Sequence, residues 1–448
     1  MIPPATLESA VTTARRRIAP FFLLMFVMAF LDRVNVGFAK EAFQADTGIG
    51  NGAFALGAGL FFVGYAIFET PSNIILHRVG ARRWMARIMV TWGLISAAMA
   101  FVHSTETFYA ARLLLGVAEA GFFPGAMLFF TYWFPGSARG KVLGLFYFGP
   151  PLAFILGGPL SGALLGLDRV GGLHGWQWMF AIEGALAVIV GIIAFWYLDD
   201  RPRDAAWLTA EQRASLAEAL AQEDAAKPRS SPVHSLRLLL DPRILYCSLV
   251  FFLIQVSVYG VTFYLPTQIS HLIGQKVGFL VGTITAVPWL CSLAACYLIP
   301  SWSDRTGERR WTATLTLAFG AAGIFMASGL FGPWIAFCGL CVAAAGFLAV
   351  QPLYFAFPMH YLTGDRAAPG LGIISSLAAF GAFTAPNIRY MVESAFQSTT
   401  AGFYVLSLLT LIGAALIAAF PWVGLNAGVG LRRDLRSQTN TVPIANRP

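Results

Sequence analysis

"LHRVGARRW" at residues 76–84 and "SDRTGERRW" at residues 303–311 share the pattern R-x-G-x-R-R-W, and the second lies 227 residues after the first. Each copy follows the second long apolar run of its own half. A pattern that recurs at a fixed offset, each time at the same place in a series of apolar segments, marks a chain built from two related halves. In a membrane protein such repeats are the signature of a bundle pair with a site between them.

The composition places those halves in a bilayer. Of 448 residues 57% are hydrophobic and 12% are charged, with a mean hydropathy of +0.67, whereas a soluble domain carries about 25% charged residues. Runs long enough to cross a bilayer, about 20 residues each, recur at 18–38, 53–75, 84–103, 106–134, 141–166, 177–198, 243–269, 277–300, 311–331, 334–360, 369–394 and 400–423. The expected fold is all-α integral membrane, with twelve transmembrane helices in two pseudo-symmetric six-helix bundles. The bundles occupy 1–198 and 243–424, with a cytoplasmic linker at 199–242 and a cytoplasmic tail at 425–448. Within the linker, Thr209 and Gln212 form a capping-box pattern ahead of Leu216 and Leu220, which predicts a short amphipathic helix. The N-terminus, "MIPPATLESAVTTARRR", lacks the apolar core of a cleavable signal, so the first helix is expected to stay in the membrane.

Basic residues stay on the cytoplasmic side of a membrane. With both termini inside, 24 of the 30 Lys and Arg fall in cytoplasmic segments, and the outward loops hold only Lys40, Arg169 and Lys276. This asymmetry accounts for the net charge of +8 as a topology signal, with no need for nucleic acid. A monomer in the lipid bilayer, without cofactor, is expected. All five cysteines lie in predicted helices of the second half; the Cys338/Cys341 spacing lacks a second pair or a histidine cluster and reads as helix packing, with no metal site.

Here a resemblance becomes specific. A six-plus-six arrangement with Asp304, Arg305, Gly307, Arg309 and Arg310 in the loop after the second helix of a half resembles the major facilitator superfamily. In the first half the pattern keeps Arg78, Gly80, Arg82 and Arg83 but has Asn73 where glycine is usual and His77 where aspartate is usual. In the family this loop braces the cytoplasmic side when the protein is open outward, which implies a gating role for both sets, weakened at His77. "ETPSNIILHRVGARRW", "FLDRVNVGFAK", "RLLLGVAEAGFFPGAMLFFTYWFP" and "GGLHGWQWMFAIEGALAVIVG" together resemble the anion:cation symporter branch. "IQVSVYGVTFYLPTQI", "TAVPWL" and "VAAAGFLAVQP" are similar to bacterial L-rhamnonate and tartrate-type permeases. The resemblance implies proton-coupled uptake of a sugar-acid or hydroxy-acid anion across the bacterial cytoplasmic membrane, with protons as the coupling ion.

The residues themselves point the same way. A charge at mid-bilayer costs roughly 2.5–3.5 kcal/mol on insertion scales, so each needs a partner or a wet cavity. Asp32 lies 15 residues beyond Arg17, hence about 22 Å along a helix and past the midplane. Neighbours at i and i+1 face about 100° apart, so Asp32 and Arg33 can serve different partners or form a buried pair that holds two helices. Arg112 and Glu119 are seven residues apart and share one face of the fourth helix, among Gly116, Ala118, Ala120, Gly121 and Gly125, which permit close helix approach. Two acids and two arginines in one bundle suit a proton-and-anion device: protonation neutralises Asp32 and Glu119 and frees Arg33 and Arg112 for a substrate carboxylate. The family's acids in helices 1 and 4 fall at Asp32 and Glu119. Glu69, Glu183 and Arg389, nearer span ends, read as structural pairs.

Adding 227 carries Asp32 to Tyr259, Arg33 to Gly260, Arg112 to Gly339 and Glu119 to Gly346, and no acid lies in the middle of any second-half span. The second half is therefore expected to shape the site with neutral groups: Gln255, Tyr259, Tyr264 and Gln268 in the seventh helix, Trp289 in the eighth, Gln351 and Tyr354 in the tenth, and Ser375 and Ser376 in the eleventh. Tyr65 joins them from the first half. Hydroxyls and amides suit a polyol chain and aromatic faces its C–H groups; the same residues also serve as helix packing. An enzyme is excluded by six scattered histidines with no H-x-x-x-H spacing. An uncoupled facilitator, an aromatic-carboxylate importer and a drug–proton antiporter are the rival readings, the last matched only in part by "FGPPLAFILGGPLSG".

Overall fold

The structure, a computed structural model, describes residues 4–226, 238–362 and 366–425. The tail at 426–448 and the linker segment at 227–237 lie outside the described residues, as does the side chain of His77. The first half comprises α1 (Pro4–Thr47), α2 (Asn51–Val79), α3 (Ala81–Ala98), α4 (Thr105–Glu119), α5 (Phe122–Trp133), α6 (Gly136–Phe146), α7 (Gly149–Leu165) and α8 (Gly175–Tyr197). The linker helix is α9 (Ala210–Ala226). The second half comprises α10 (Pro242–Thr262), α11 (Leu265–Ile273), α12 (Phe279–Thr306), α13 (Arg309–Met326), α14 (Pro333–Tyr361), α15 (Ala367–Phe396) and α16 (Thr399–Ala418).

Three expected single spans are broken rods. The fourth is α4 plus α5, the fifth α6 plus α7, and the seventh α10 plus α11. The break in the fourth falls at Ala120, with ψ of 134°, and Gly121, with φ of 88°, a left-handed conformation that only glycine adopts without strain. Among the described residues eleven segments are long and apolar enough to cross a membrane. The remaining span, α13, has 18 residues but begins with Arg309 and Arg310, which shortens its apolar run.

Close backbone approach at glycines packs the helices. Gly93 of α3 meets Gly184 of α8, and Gly323 of α13 meets Gly339 of α14. Lipid tails are as apolar as leucine, so such van der Waals contact, rather than water expulsion, holds membrane helices together. Between the halves α7 packs on α12 and α15 on α2, two pairs that exchange when the halves are swapped. Their glycine contacts, Gly158 against Gly282, Gly162 against Gly278, and Gly59 against Phe383, lie toward the end opposite the two R-x-G-x-R-R loops.

The linker helix belongs to the first half. Thr209 and Gln212 cap it reciprocally, each backbone N–H donating to the other's side chain at 3.2 Å, and Leu216 is buried. Glu223 anchors it by accepting from Arg139 Nη2 at 3.0 Å and from the Gly136 N–H at 2.8 Å.

Candidate functional site

Arg33 and Asp32 turn to different partners. Arg33 Nε donates to Glu119 Oε1 at 2.8 Å, and Nη2 donates to the same oxygen. Glu119 is fully buried, and its Oε2 has no hydrogen-bond partner among the described residues. The pair joins α1 to the last residue of α4, at the break that Gly121 makes possible. Gly121 is itself packed so closely on Ser72 of α2 that an added Cβ would sit 2.2 Å from its Oγ.

Asp32 faces inward, toward α3, where Ser96 Oγ donates to its Oδ1 at 2.5 Å and Asn35 Nδ2 donates at 3.1 Å. Arg112, only 1% exposed, donates from Nη2 to the Ala58 carbonyl at 3.2 Å, while its Nε and Nη1 have no partner among the described residues. Phe61 lies between the arginines: the Arg33 guanidinium carbon is 5.3 Å from its ring centroid and that of Arg112 5.2 Å. Phe30 and Tyr65 complete the aromatic surround of Arg33, at 4.8 and 5.0 Å. From the other half Tyr259 adjoins Arg33 and packs edge-on against Phe62 with centroids 4.6 Å apart. Arg33 thus sits where the two halves meet.

The Major Facilitator Superfamily profile matches residues 21–386. The chain belongs to that superfamily. The Escherichia coli protein named "Inner membrane transport protein RhmT" is 45% identical over 413 residues, 92% of this chain and 95% of that one. An Agrobacterium vitis protein named "Putative tartrate transporter" is 42% identical over 403 residues, 89% of this chain and 88% of that one. The fold is that of the crystal structure of a bacterial homologue of the human lysosomal transporter Spinster, in an inward-facing, unoccupied conformation, with a TM-score of 0.74 at 16% identity, covering 90% of this chain and 96% of that one. The protein is a multi-pass membrane transporter of the superfamily and not an enzyme.

The structure brings Asp32, Arg33, Arg112, Glu119, Tyr65 and Tyr259 together and sorts the other candidates. Trp289 stacks on Phe154 across the two halves with centroids 3.9 Å apart. Gln255 lies where α10 meets α15 at Gly381, and its Oε1 is buried without a partner. Gln351 donates to the Phe347 carbonyl one turn earlier at 3.3 Å, and Ser375 and Ser376 are half-buried on α15. Three candidates are placed elsewhere. The Tyr354 hydroxyl donates to the Cys247 carbonyl at 2.7 Å and its ring stacks on Phe251, within the second bundle's core. Gln268 donates to the Ala327 carbonyl at 3.4 Å in the same bundle. Tyr264 lies between Lys40, 4.6 Å from its ring, and Arg389, 4.1 Å from it, toward the end where the halves touch.

In the superfamily loop of the first half, the Arg82 N–H donates to Asp200 Oδ1 at 2.8 Å and the Arg82 side chain to the Phe195 carbonyl. A Cβ on Gly80, whose φ is 97°, would sit 3.0 Å from the same Asp200 oxygen, so glycine is what lets the carboxylate cap α3. In the second loop Arg309 pairs with Asp304 at 2.9 Å, Gly307 turns with φ of 74°, and Arg310 lies 4.8 Å from the Trp311 ring. Arg78, Arg83 and Arg305 are exposed. These contacts are local to each half.

Sequence reasoning reads Glu69, Glu183 and Arg389 each as a structural pair near a span end, and Arg33 is the charged group that acts on Glu69. Arg389 does pair, with Glu393 at 2.7 Å. Glu183 is corrected: it is 1% exposed, and the hydrogen bond it makes is accepted from Ser161 Oγ at 2.7 Å, with no basic partner among the described residues. The signal that could have found it is the run "AIEGALAVIVG", an acid with no basic residue within ten positions on either side except His174, which precedes the helix.

Proposed function

We propose that this transporter is a proton-coupled symporter that imports an organic anion by alternating access. The anion is a sugar acid such as rhamnonate or galactonate, or a tartrate-like hydroxy acid. The observation that carries this reading is the pair of Arg33 with the fully buried Glu119 at the junction of the halves, beside an Arg112 with two guanidinium nitrogens unpartnered among the described residues. Glu119 occupies the place on Arg33 that a substrate carboxylate would take. A proton arriving on its unpartnered Oε2 removes the charge that holds Arg33, and the guanidinium becomes available to a planar anion, for which its fork geometry is suited. Asp32, held by neutral donors on the far side of α1, takes the second proton position.

With proton and anion loaded together, the site carries less uncompensated charge and crosses more readily between the two orientations of the bundles. Tyr65, Tyr259 and Gln255 supply hydroxyl and amide groups for the hydroxyls of the anion. The density of basic residues puts the R-x-G-x-R-R loops and both termini on the cytoplasmic side of a bacterial inner membrane, and contact at the opposite end then corresponds to an inward-facing state.

The test is uptake into proteoliposomes driven by a pH gradient, screened over L-rhamnonate, D-galactonate, tartrates and aromatic carboxylates. Substrate-dependent alkalinisation outside, abolished in Asp32→Asn and Glu119→Gln, is the expected result. Unchanged gradient-driven uptake in both variants would sink the coupling. Acidification would establish antiport, and binding of aromatic acids alone would replace the substrate class.

A further inference from the structure

Apart from the site at Arg33, Asp32 Oδ2, Asn35 Oδ1 and Glu183 Oε2 form a group of buried acceptor atoms inside the first bundle that lack a donor among the described residues. Their side chains are at most 2% exposed. Buried acceptors in native proteins are almost always partnered, and a buried carboxylate is tolerated only with a cation or a full set of donors. Glu183 has neither. From α7 it receives the Ser161 hydroxyl. From α1 it faces Asp32 and Asn35, an acid and an amide. Helix α3, which touches α8 at Gly93 and Gly184, presents Ser96 and Trp92, and both are directed at Asp32. Among the charged groups that reach this cluster, Glu119 and Arg112 act on Asp32.

The donor count has one economical solution. Asn35 already turns Nδ2 to Asp32 Oδ1 at 3.1 Å, so its amide oxygen is free to accept. The Trp92 indole N–H, itself without an acceptor, is the donor at hand for Asp32 Oδ2. A proton on Glu183 Oε2 would remove the buried charge and supply the missing bond to Asn35 Oδ1. We propose that Glu183 is a proton-binding site, its proton donated to the Asn35 amide oxygen, and that this amide links it to Asp32 so that the two carboxyls hold one proton between them. Turning the amide over exchanges the roles. Nδ2 then serves an ionised Glu183, and the amide oxygen accepts from a protonated Asp32. Only O–H bonds are made and broken, the proton released by one carboxyl being matched by one bound at the other. The part that Asp32 takes in this exchange rests on the proton-coupled reading; the proton on Glu183 does not.

Infrared spectroscopy of the purified full-length protein, with and without carbon-13 glutamate, tests it at neutral pH. The expected spectrum contains a protonated-carboxyl C=O stretch that shifts with the label and is lost in the isosteric Glu183→Gln. In Asn35→Leu, or in Asn35→Ala should the leucine variant fail to fold, that band moves to the frequency of a carboxyl without its hydrogen bond. A spectrum in which Glu183→Gln removes no such band overturns the proton site, and a band unmoved by loss of the Asn35 amide overturns the link. Neither result depends on transport, so failure of the symport reading, read from uptake in Asp32→Asn, remains separately visible.

Discussion

Substituting Glu119 by Gln isolates the competition between the protein's own carboxylate and the substrate's. In the resting site, Arg33 gives two N–H groups to one oxygen of Glu119. Hydrogen bonds to a charged group are worth about 1.5–3 kcal/mol against about 1 kcal/mol between neutral ones. A glutamine keeps the shape and one bond to the guanidinium but loses the counter-charge and the equivalent of one charge-assisted bond, so an arriving anion displaces a partner weaker by roughly 2 kcal/mol. At 1.4 kcal/mol per decade that is about 30-fold in affinity. The gain belongs only to conditions in which wild-type Glu119 is ionised, because a protonated wild type has already given up the charge. Tartrate and L-rhamnonate binding, followed by calorimetry from about pH 5 to about pH 9, is therefore expected to weaken with rising pH in the wild type and less steeply in Glu119→Gln, where Asp32 alone still titrates, the curves converging at the acid end. Without anion the variant leaves Arg33 short of a counter-charge and melts lower, and anion restores the difference by mass action. Affinity that falls with pH as steeply in Glu119→Gln as in the wild type would refute the argument.

Gly116→Ala places a Cβ 1.9 Å from the Phe61 carbonyl; forcing α2 from α4 should cost about 1–3 kcal/mol and lower the melting temperature. Because Phe61 carries both arginines on its ring, anion binding should weaken with it, and an unchanged melt would contradict the packing. Gly282→Ala places a Cβ 2.0 Å from the Gly158 carbonyl across the two halves. A penalty of about 2 kcal/mol on that contact shifts the populations about 30-fold toward separation there, so an impermeant thiol reagent should reach Ala286→Cys faster in a cysteine-free background, and equal labelling rates would refute it. Asp168 accepts the Gly175 N–H at 3.1 Å and faces His174 Nδ1 at 3.2 Å, chiefly the former holding its carboxyl below the usual aspartate range. Its contribution to stability is therefore present above the unfolded value of about 4 and lost as pH falls through the lowered folded value. The melting gap between wild type and Asp168→Ala should close on acidification, and a gap that widens would reverse the sign.

What is legible in the sequence follows from what carries periodic or compositional signal. The spans, the repeat and the capping box at Thr209 and Gln212 rest on hydropathy, spacing and local hydrogen-bond chemistry, all of which survive in a string of letters. The separation of Asp32 from Arg33 is legible as well, since adjacent residues on a helix diverge by about 100°. The breaks in the fourth and seventh spans are not, because α4 and α5 are both apolar on either side of Gly121, and a glycine among glycines gives no sign of which one carries the positive φ. Where the hydroxyls of Tyr354 and Tyr264 end, on the Cys247 and Pro386 carbonyls, is illegible for a related reason: a tyrosine in a membrane helix has the same neighbours in sequence whether its hydroxyl ends on a backbone carbonyl of its own bundle or on a ligand.

Glu183 shows the limit most clearly, and it alters the account of the charge cluster. Nearness to the span end makes it look like a group able to reach the interface, but the depth of a residue is set by helix tilt and neighbours as much as by its index. In the structure α8 presses against α3 through Gly184, one residue beyond Glu183, and that contact turns the acid into the bundle instead of out of it. The first bundle therefore holds two carboxyl environments divided by α1. On the side toward the second bundle, Glu119 has a cation and its ionised form is held in place by Arg33. On the inner side, the groups turned to Asp32 and Glu183 are hydroxyls, an amide and an indole, and Arg112 acts on Asp32 through space without a bond to it. In the proposed mechanism, a charge on the first side is exchanged for a substrate's charge, whereas a charge on the second is removed by a proton. The proposed anion–proton symport would use both kinds of place, and the one-residue step from Arg33 to Asp32 around α1 is what sets them back to back.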